Sequence, residues 1–318
     1  MRKITFYLFI ILCLLLTSCG DGGGGNGNGN GGNGEAVIPP SDDYLCFTAN
    51  VDGCSISTTV VGSLTSTPSL EYSADKEIWT PFIINDTSVP LPNTDDKVYI
   101  RAKSANATFS GSAGWIKFVI SGSVSASGNI MSLLEKECRV LSVPDYAFKF
   151  LFYNNTTLKT APELPATTLG RYCYAEMLEG CSALTTAPDL PATNLADCCY
   201  FHMFSGCSSL TAVPTELPAT NLATRCYEGM FYGCSSLTTA PELPATTLAM
   251  GCYYWMFYGC SNLNSITVNF TTWNDDYTSL WVYGVPSGGT FICPDGLPHI
   301  NPTEFGNSRI PTGWTVNP

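Results

Sequence analysis

Cys173-Tyr-Ala-Glu-Met-Leu-Glu-Gly-Cys-Ser-Ala-Leu-Thr-Thr-Ala-Pro-Asp-Leu-Pro-Ala-Thr-Asn-Leu-Ala196 decides the fold, because the chain repeats it. The stretch returns from Cys199, Cys226 and Cys252, at intervals of 26, 27 and 26 residues, with the extra residue in Ala212–Pro218. A degenerate copy lies 26 residues upstream, where Ala147 replaces the first cysteine and Asn155 the second. A fixed period of this size predicts a solenoid, in which each unit buries its apolar face only against its neighbours.

Within a unit, Leu169, Cys173 and Met177 stand four apart, as on one face of a helix. Thr168 suits the N-cap of that helix, and Gly180 the position that ends it. The triplets Leu195/Cys199/Met203, Leu222/Cys226/Met230 and Leu248/Cys252/Met256 repeat the pattern. A short extended run follows, Leu184 to Leu190, kept brief by Pro188, which lacks a ladder donor.

These units resemble the BspA-like leucine-rich repeats of bacterial surface proteins, especially the Bacteroides type, with a core near A/C-F/Y-x-x-x-F-x-G-C-S-S-L-T. Cys199–Thr211, Cys226–Thr238 and Cys252–Asn264 match it, Asn264 replacing the final threonine. The resemblance spans Asp145 to Ile266. Two departures stand out: a period about three residues longer than the shorter form of this repeat, and a first copy without cysteines, which suits a cap. The resemblance implies an α+β repeat solenoid with one short strand and one short helix per 26-residue rung. It also implies a cell-surface role in adhesion.

Of the 15 cysteines, Cys173, Cys199, Cys226 and Cys252 form one ladder, and Cys181, Cys207, Cys234 and Cys260 another. A helix between two cysteines of one rung would separate them by about 12 Å, beyond the roughly 7 Å reach of a disulfide. Equal positions on successive rungs point the same way, so these are expected to be small buried core residues. Without a Cys-x-x-Cys motif or accompanying histidines, no metal site is expected. Cys198 lies off the pattern and is expected at the surface, and Cys138 and Cys293 have no evident partner. Cys46 and Cys54 suit either a hairpin disulfide or two buried thiols.

Upstream of the repeats, residues 41–128 carry six β-type runs: Tyr44–Ala49, Ser55–Val61, Leu70–Ser73, Trp79–Ile84, Lys97–Lys103 and Trp115–Ser121. They predict a small all-β, sandwich-like domain before the solenoid of residues 129–266. Residues 267–318 read as a β-rich C-terminal cap.

The amino terminus reads as an address. Arg2 and Lys3 precede an apolar run, Ile4 to Leu16, too short to span a bilayer and suited to a secretory signal of residues 1–18. Leu16-Thr-Ser-Cys19 resembles the bacterial lipobox, which makes Cys19 the expected lipidation site and membrane anchor. The alternative is an ordinary cleaved signal. Residues 19–40 are a tether, almost pure Gly and Asn from Gly22 to Gly34. Together with the family resemblance, these features lead to the expectation of a lipid-anchored protein of the cell envelope, at the outer membrane and surface-exposed, with the leaflet left open.

A formal net charge of −12 over 318 residues argues against nucleic acid as a partner. Two histidines, His202 and His299, leave little for acid–base or metal chemistry, and no catalytic set, metal or cofactor is expected. Candidate contacts are therefore sought in rows of equivalent residues. One row is acidic: Glu163, Asp189, Glu216 and Glu242, each before Leu-Pro. It suits a divalent cation, a basic partner, or a merely solvated edge. Two rows vary between copies: Ala175, Phe201, Glu228 and Tyr254, then Glu176, His202, Gly229 and Trp255. Aromatic residues crowd the last copy, Tyr253 to Tyr258, either to stack on sugars or to pack against a cap holding Trp273, Trp281 and Tyr283. The expected function is non-enzymatic surface recognition of a protein or glycan. A structural envelope lipoprotein without a soluble ligand is the alternative.

Overall fold

Every fourth residue of the repeated segment has a left-handed backbone. In the computed structural model, which describes residues 43–105, 109–298 and 309–318, φ is 55° at Tyr172, 53° at Glu176 and 73° at Gly180. The series recurs at Cys198, His202 and Gly206, at Arg225, Gly229 and Gly233, and at Gly251, Trp255 and Gly259. Such residues do not belong to a right-handed helix. The amide hydrogen bonds alternate accordingly. Tyr174, Glu176, Leu178 and Gly180 donate to Cys199, Phe201, Met203 and Ser205 of the next rung, at 2.8–3.0 Å. Between them, Cys173, Ala175, Met177 and Glu179 donate to the carbonyl three residues back.

The expected helix in each rung is therefore wrong, and with it the α+β repeat class. Each rung is a train of four-residue turns stitched to its neighbour. Among the described residues the only α-helix is α1, Asp275–Thr278, and the only 3-10 helix is Ile130–Leu133. The expected strand shrinks to parallel bridges, Thr160 to Thr186 to Ala212, and Thr168 to Asn194 to Asn221 to Thr247. A spacing of four between apolar residues belongs both to a helix face and to a train of four-residue turns. Periodicity alone does not separate them.

Each turn buries at least two residues, such as Cys173 and Tyr174 or Met177 and Leu178. Tyr174, Tyr200, Tyr227 and Tyr253 stack through the core with centroids 5.7–6.2 Å apart and planes within 11°. Phe204, Phe231 and Phe257 form a second stack at 5.7 and 5.8 Å. Both cysteine ladders are fully buried. The second also ties rungs together. Its Cys181, Cys207, Cys234 and Cys260 thiols donate to the Phe152, Leu178, Phe204 and Phe231 carbonyls of the preceding rung at 3.1–3.2 Å.

Burial pushes the Cys181, Cys252 and Cys260 thiols up to about 12. Cys198, expected at the surface, is 4% exposed. Cys46 and Cys54 are free buried thiols, as are all 13 described cysteines. The native protein should thus react with Ellman's reagent at pH 8 through no more than the two cysteines outside the described residues (15 less 13). Denaturant should release the rest. Fast native labelling of several thiols per chain would contradict this packing.

Among the described residues the N-terminal region has eight strands: β1 Leu45–Ala49, β2 Cys54–Gly62, β3 Leu70–Ser73, β4 Thr80–Phe82, β5 Ser88–Leu91, β6 Lys97–Ala102, β7 Gly114–Ser121 and β8 Val124–Ser127. They form two antiparallel sheets, ordered β4-β3-β6-β1-β8 and β5-β2-β7. Six strands were expected; β5, with Pro90 inside it, and the polar β8 carry too weak a β signal to be seen. Both sheets run on into the repeats. Beside β8, Val124 bridges Leu158, and Asn129 bridges Glu163. Beside β7, the Phe118 amide donates to the Leu151 carbonyl at 2.8 Å. Asn155 explains the degenerate first copy. Where later copies place a cysteine, its Nδ2 donates to the Phe118 and Phe152 carbonyls and its Oδ1 accepts from the Ile120 amide, at 2.9–3.0 Å. Phe47, Phe118 and Phe152 continue one core across the junction.

At the other end, the ladders continue past Ile266. Of the remaining strands, β9 Ser142–Val143 and β10 Thr168–Leu169 pair beside the junction. The last three, β11 Ser265–Thr267, β12 Thr290–Ile292 and β13 Thr315–Asn317, form a parallel sheet in register every 25 residues. Gly251, Tyr253, Trp255, Phe257 and Gly259 donate to carbonyls from Asp276 to Tyr283, so the segment expected as a cap prolongs the stack. No helix among the described residues is long and apolar enough to cross a membrane. The expected signal, Cys19, the tether and His299 lie outside the described residues.

Candidate functional site

The Pro-Asp/Glu-Leu-Pro corner of each rung, with Thr215 inserted after Pro214 in the third, lies between the two rows of bridges. Proline has no amide proton to give a neighbouring rung. Asn129 bridges Glu163, and Glu216 bridges Glu242, but no bridge forms at Asp189. The second rung's corner therefore has a cleft on each side. One, of about 610 Å³, is lined by Pro162, Glu163, Pro165, Pro188, Asp189 and Pro191 among others. The second, of about 190 Å³, runs from Asp189 and Pro191 to Pro214, Glu216 and Pro218. Asp189 and Pro191 line both, so the clefts share a common wall.

This brings three members of the acidic row together. Glu163, Asp189 and Glu216 are exposed along the clefts. Burial, with the Asp43 carboxylate second, pushes the Glu163 carboxyl above its ordinary value. Glu242 stands apart, half-buried and held by Asn269 Nδ2 at 3.1 Å. Among the described residues no three His, Cys, Asp or Glu side chains are grouped so as to hold a metal ion. The prolines lining both clefts were legible as a repeated motif, but on sequence grounds they only limited strand length.

The two variable rows lie on the turn face, and the structure divides them. Ala175 and Glu228 are fully buried. Glu228 pairs with Arg225, whose Nη2 donates to Oε1 at 2.9 Å and whose guanidinium also lies 5.5 Å from the Phe201 ring. Phe201 and Tyr254 are half-buried. The second row, Glu176, His202, Gly229 and Trp255, is one of the three rows of left-handed residues, with φ of 50–59°. Its variation is thus constrained by backbone. At Gly229 a Cβ would collide with the His202 ring, which occupies the space that glycine leaves free. Burial, then the Arg225 charge, pushes His202 down to about 4, so its imidazole is neutral at pH 7. Glu176 lies 3.8 Å from Lys149 Nζ; burial raises its carboxyl and the lysine draws it back.

The aromatic crowd of the last copy also separates. Tyr253 and Phe257 pack against the fully buried Trp281. Trp255 and Tyr283 stay 36% and 45% exposed. Tyr232, Tyr258 and Tyr283 stack face to face at 4.7 Å, which covers both faces of the Tyr258 ring.

No protein-family model matches the chain. No curated protein matches it either. Among solved structures, it is similar to the crystal structure of the T. pallidum leucine-rich repeat protein TpLRR, with 14% identity over 54% of this chain and 84% of that chain, at a TM-score of 0.26.

Proposed function

We propose that this chain is a non-enzymatic recognition protein, tethered to the outer face of the cell envelope through lipid on Cys19, that binds a protein or glycan along its repeats. The observation that carries it is the open, carboxylate-rimmed pair of clefts crossing three rungs. The groups with strongly displaced proton affinities support a binding role over chemistry. His202 and Glu179, the latter pushed up to about 7 by burial and then by Glu176, lie on the turn face, and the shifted thiols are sealed in the core. Neither set lines the clefts. Residues 1–18 are the export signal, and the Gly/Asn tether holds the folded part away from the lipid surface. A surface with a formal net charge of −12 disfavours nucleic acid. The test is binding of purified full-length chain, in detergent, to arrays of extracellular-matrix proteins and glycans. Saturable binding to at least one class is expected; none on either array would refute the proposal.

A further inference from the structure

We propose that the paired clefts over the second rung receive an extended, lysine- or arginine-bearing segment of a partner protein, an inference that rests on the recognition role above. The floor comes first. Proline rings from three successive rungs, with Ala161, Leu164 and Ala187, line a groove whose apolar walls are short and rigid. Such walls lose little conformational freedom when covered. Their apolar lining suits the aliphatic stem of a lysine or arginine, a side chain that buries its methylenes and keeps its charged head in water.

The rims select the head. Glu163, Asp189 and Glu216 stand along the groove, and among the described residues none of the three has a salt-bridge partner. Three like charges along one groove favour a cationic occupant over a neutral or anionic one. That cation is a side chain rather than a metal ion, because no three of the described acidic, His or Cys side chains are grouped for a metal. A glycan is disfavoured for a different reason. No aromatic ring lines either cleft, so a sugar has no face to stack on. The site opens along the stack, and its length across three rungs fits a chain of several residues better than a single small ion.

The backbone explains why this rung is the receptive one. On both sides the acidic row is closed by bridges, at Asn129–Glu163 and at Glu216–Glu242. At Asp189 it is open, so a ligand there displaces no existing pairing.

The test uses purified full-length chain in detergent and two fluorescein-labelled peptides, Lys-Pro-Ala and Glu-Pro-Ala, each repeated four times, read by fluorescence anisotropy. The lysine peptide should bind and the glutamate peptide should not. Binding should weaken as sodium chloride rises, since exposed charge pairs are screened within a Debye length. The triple variant Glu163→Gln, Asp189→Asn, Glu216→Gln should bind about tenfold more weakly, about 1.4 kcal/mol in total, as for three weak exposed pairs. Glu242→Gln and Trp255→Ala should bind as the parent does. Circular dichroism of the triple variant, unchanged, separates lost contacts from lost structure. Equal affinity for both peptides, or a triple variant that binds undiminished, overturns the proposal. An array ligand that the folded triple variant retains at full affinity also overturns it, while leaving the wider recognition role standing.

Discussion

Trp281→Ala should lower stability by about 4–5 kcal/mol, the largest loss expected from any single truncation in the repeats. Trp281 is fully buried. Its ring lies 5.9–6.4 Å from those of Tyr253, Phe257, Phe270, Trp273 and Phe291, so five aromatic neighbours border the space an alanine would leave. Truncating a buried aromatic costs about 3–5 kcal/mol in lost transfer energy and residual cavity. Its Nε1 also donates to the Arg309 carbonyl at 2.8 Å, and losing a buried hydrogen bond adds about 1 kcal/mol. Urea denaturation followed by circular dichroism would measure the change. Trp255→Ala, 36% exposed on the turn face, should stay within about 0.5 kcal/mol of the parent. A Trp281→Ala loss below about 1 kcal/mol would mean that the ring is not packed as described.

Gly128→Ala should cost about 2–5 kcal/mol, and it acts on the junction rather than the core. Gly128 has φ +73°, and an added Cβ would fall far inside contact distance of the Tyr44 carbonyl oxygen and 2.9 Å from its carbon. Both obstacles are backbone and cannot rotate away. The left-handed conformation costs an alanine about 1–2 kcal/mol, and forcing packed backbone apart adds about 1–3 kcal/mol. The Gly128 carbonyl accepts from the Glu163 amide at 2.8 Å, so any shift pulls on the seam between sandwich and repeats. Gly53→Ala is the matched control. Its φ is +76°, but nothing lies within 4 Å of the added carbon, so only the conformational cost should appear. Equal destabilisation of the two variants would exclude the close approach as a cause.

Much of the core was legible. Four of the apolar letters shared by the four full copies point inward: Cys173, Met177, Cys181 and Leu184, with their equivalents, are fully buried. Self-similarity reports this directly, because a position that touches its own copies above and below tolerates few residues. The six expected strands of the sandwich all overlap observed ones. The helix failed for a specific reason. Leu169, Cys173 and Met177 stand four apart, but Tyr172 and Glu176 between them have φ of 55° and 53°, and neither residue type advertises that conformation. Only the glycines at equivalent places, such as Gly229 and Gly251, carried a hint.

The candidate rows fared unevenly. Exposure along the acidic row was legible for Glu163, Asp189 and Glu216 because each precedes a buried leucine and a proline at the rung's corner. Nothing in their order showed that the bridging fails at Asp189 and opens the clefts. Burial of Glu228 was equally hidden, since it depends on Arg225 folding back over it.

Counting along the chain determines which residues occupy equal positions, because the period is covalent; the two cysteine ladders and the acidic row follow from that alone. Where each amide proton goes is another matter. An N–H that serves its own turn and one that serves the next rung have the same sequence signature, and the choice depends on chain about 25 residues away. That choice made turns of the expected helices, carried the ladders into the expected cap, and left one rung's prolines and carboxylates open to a partner.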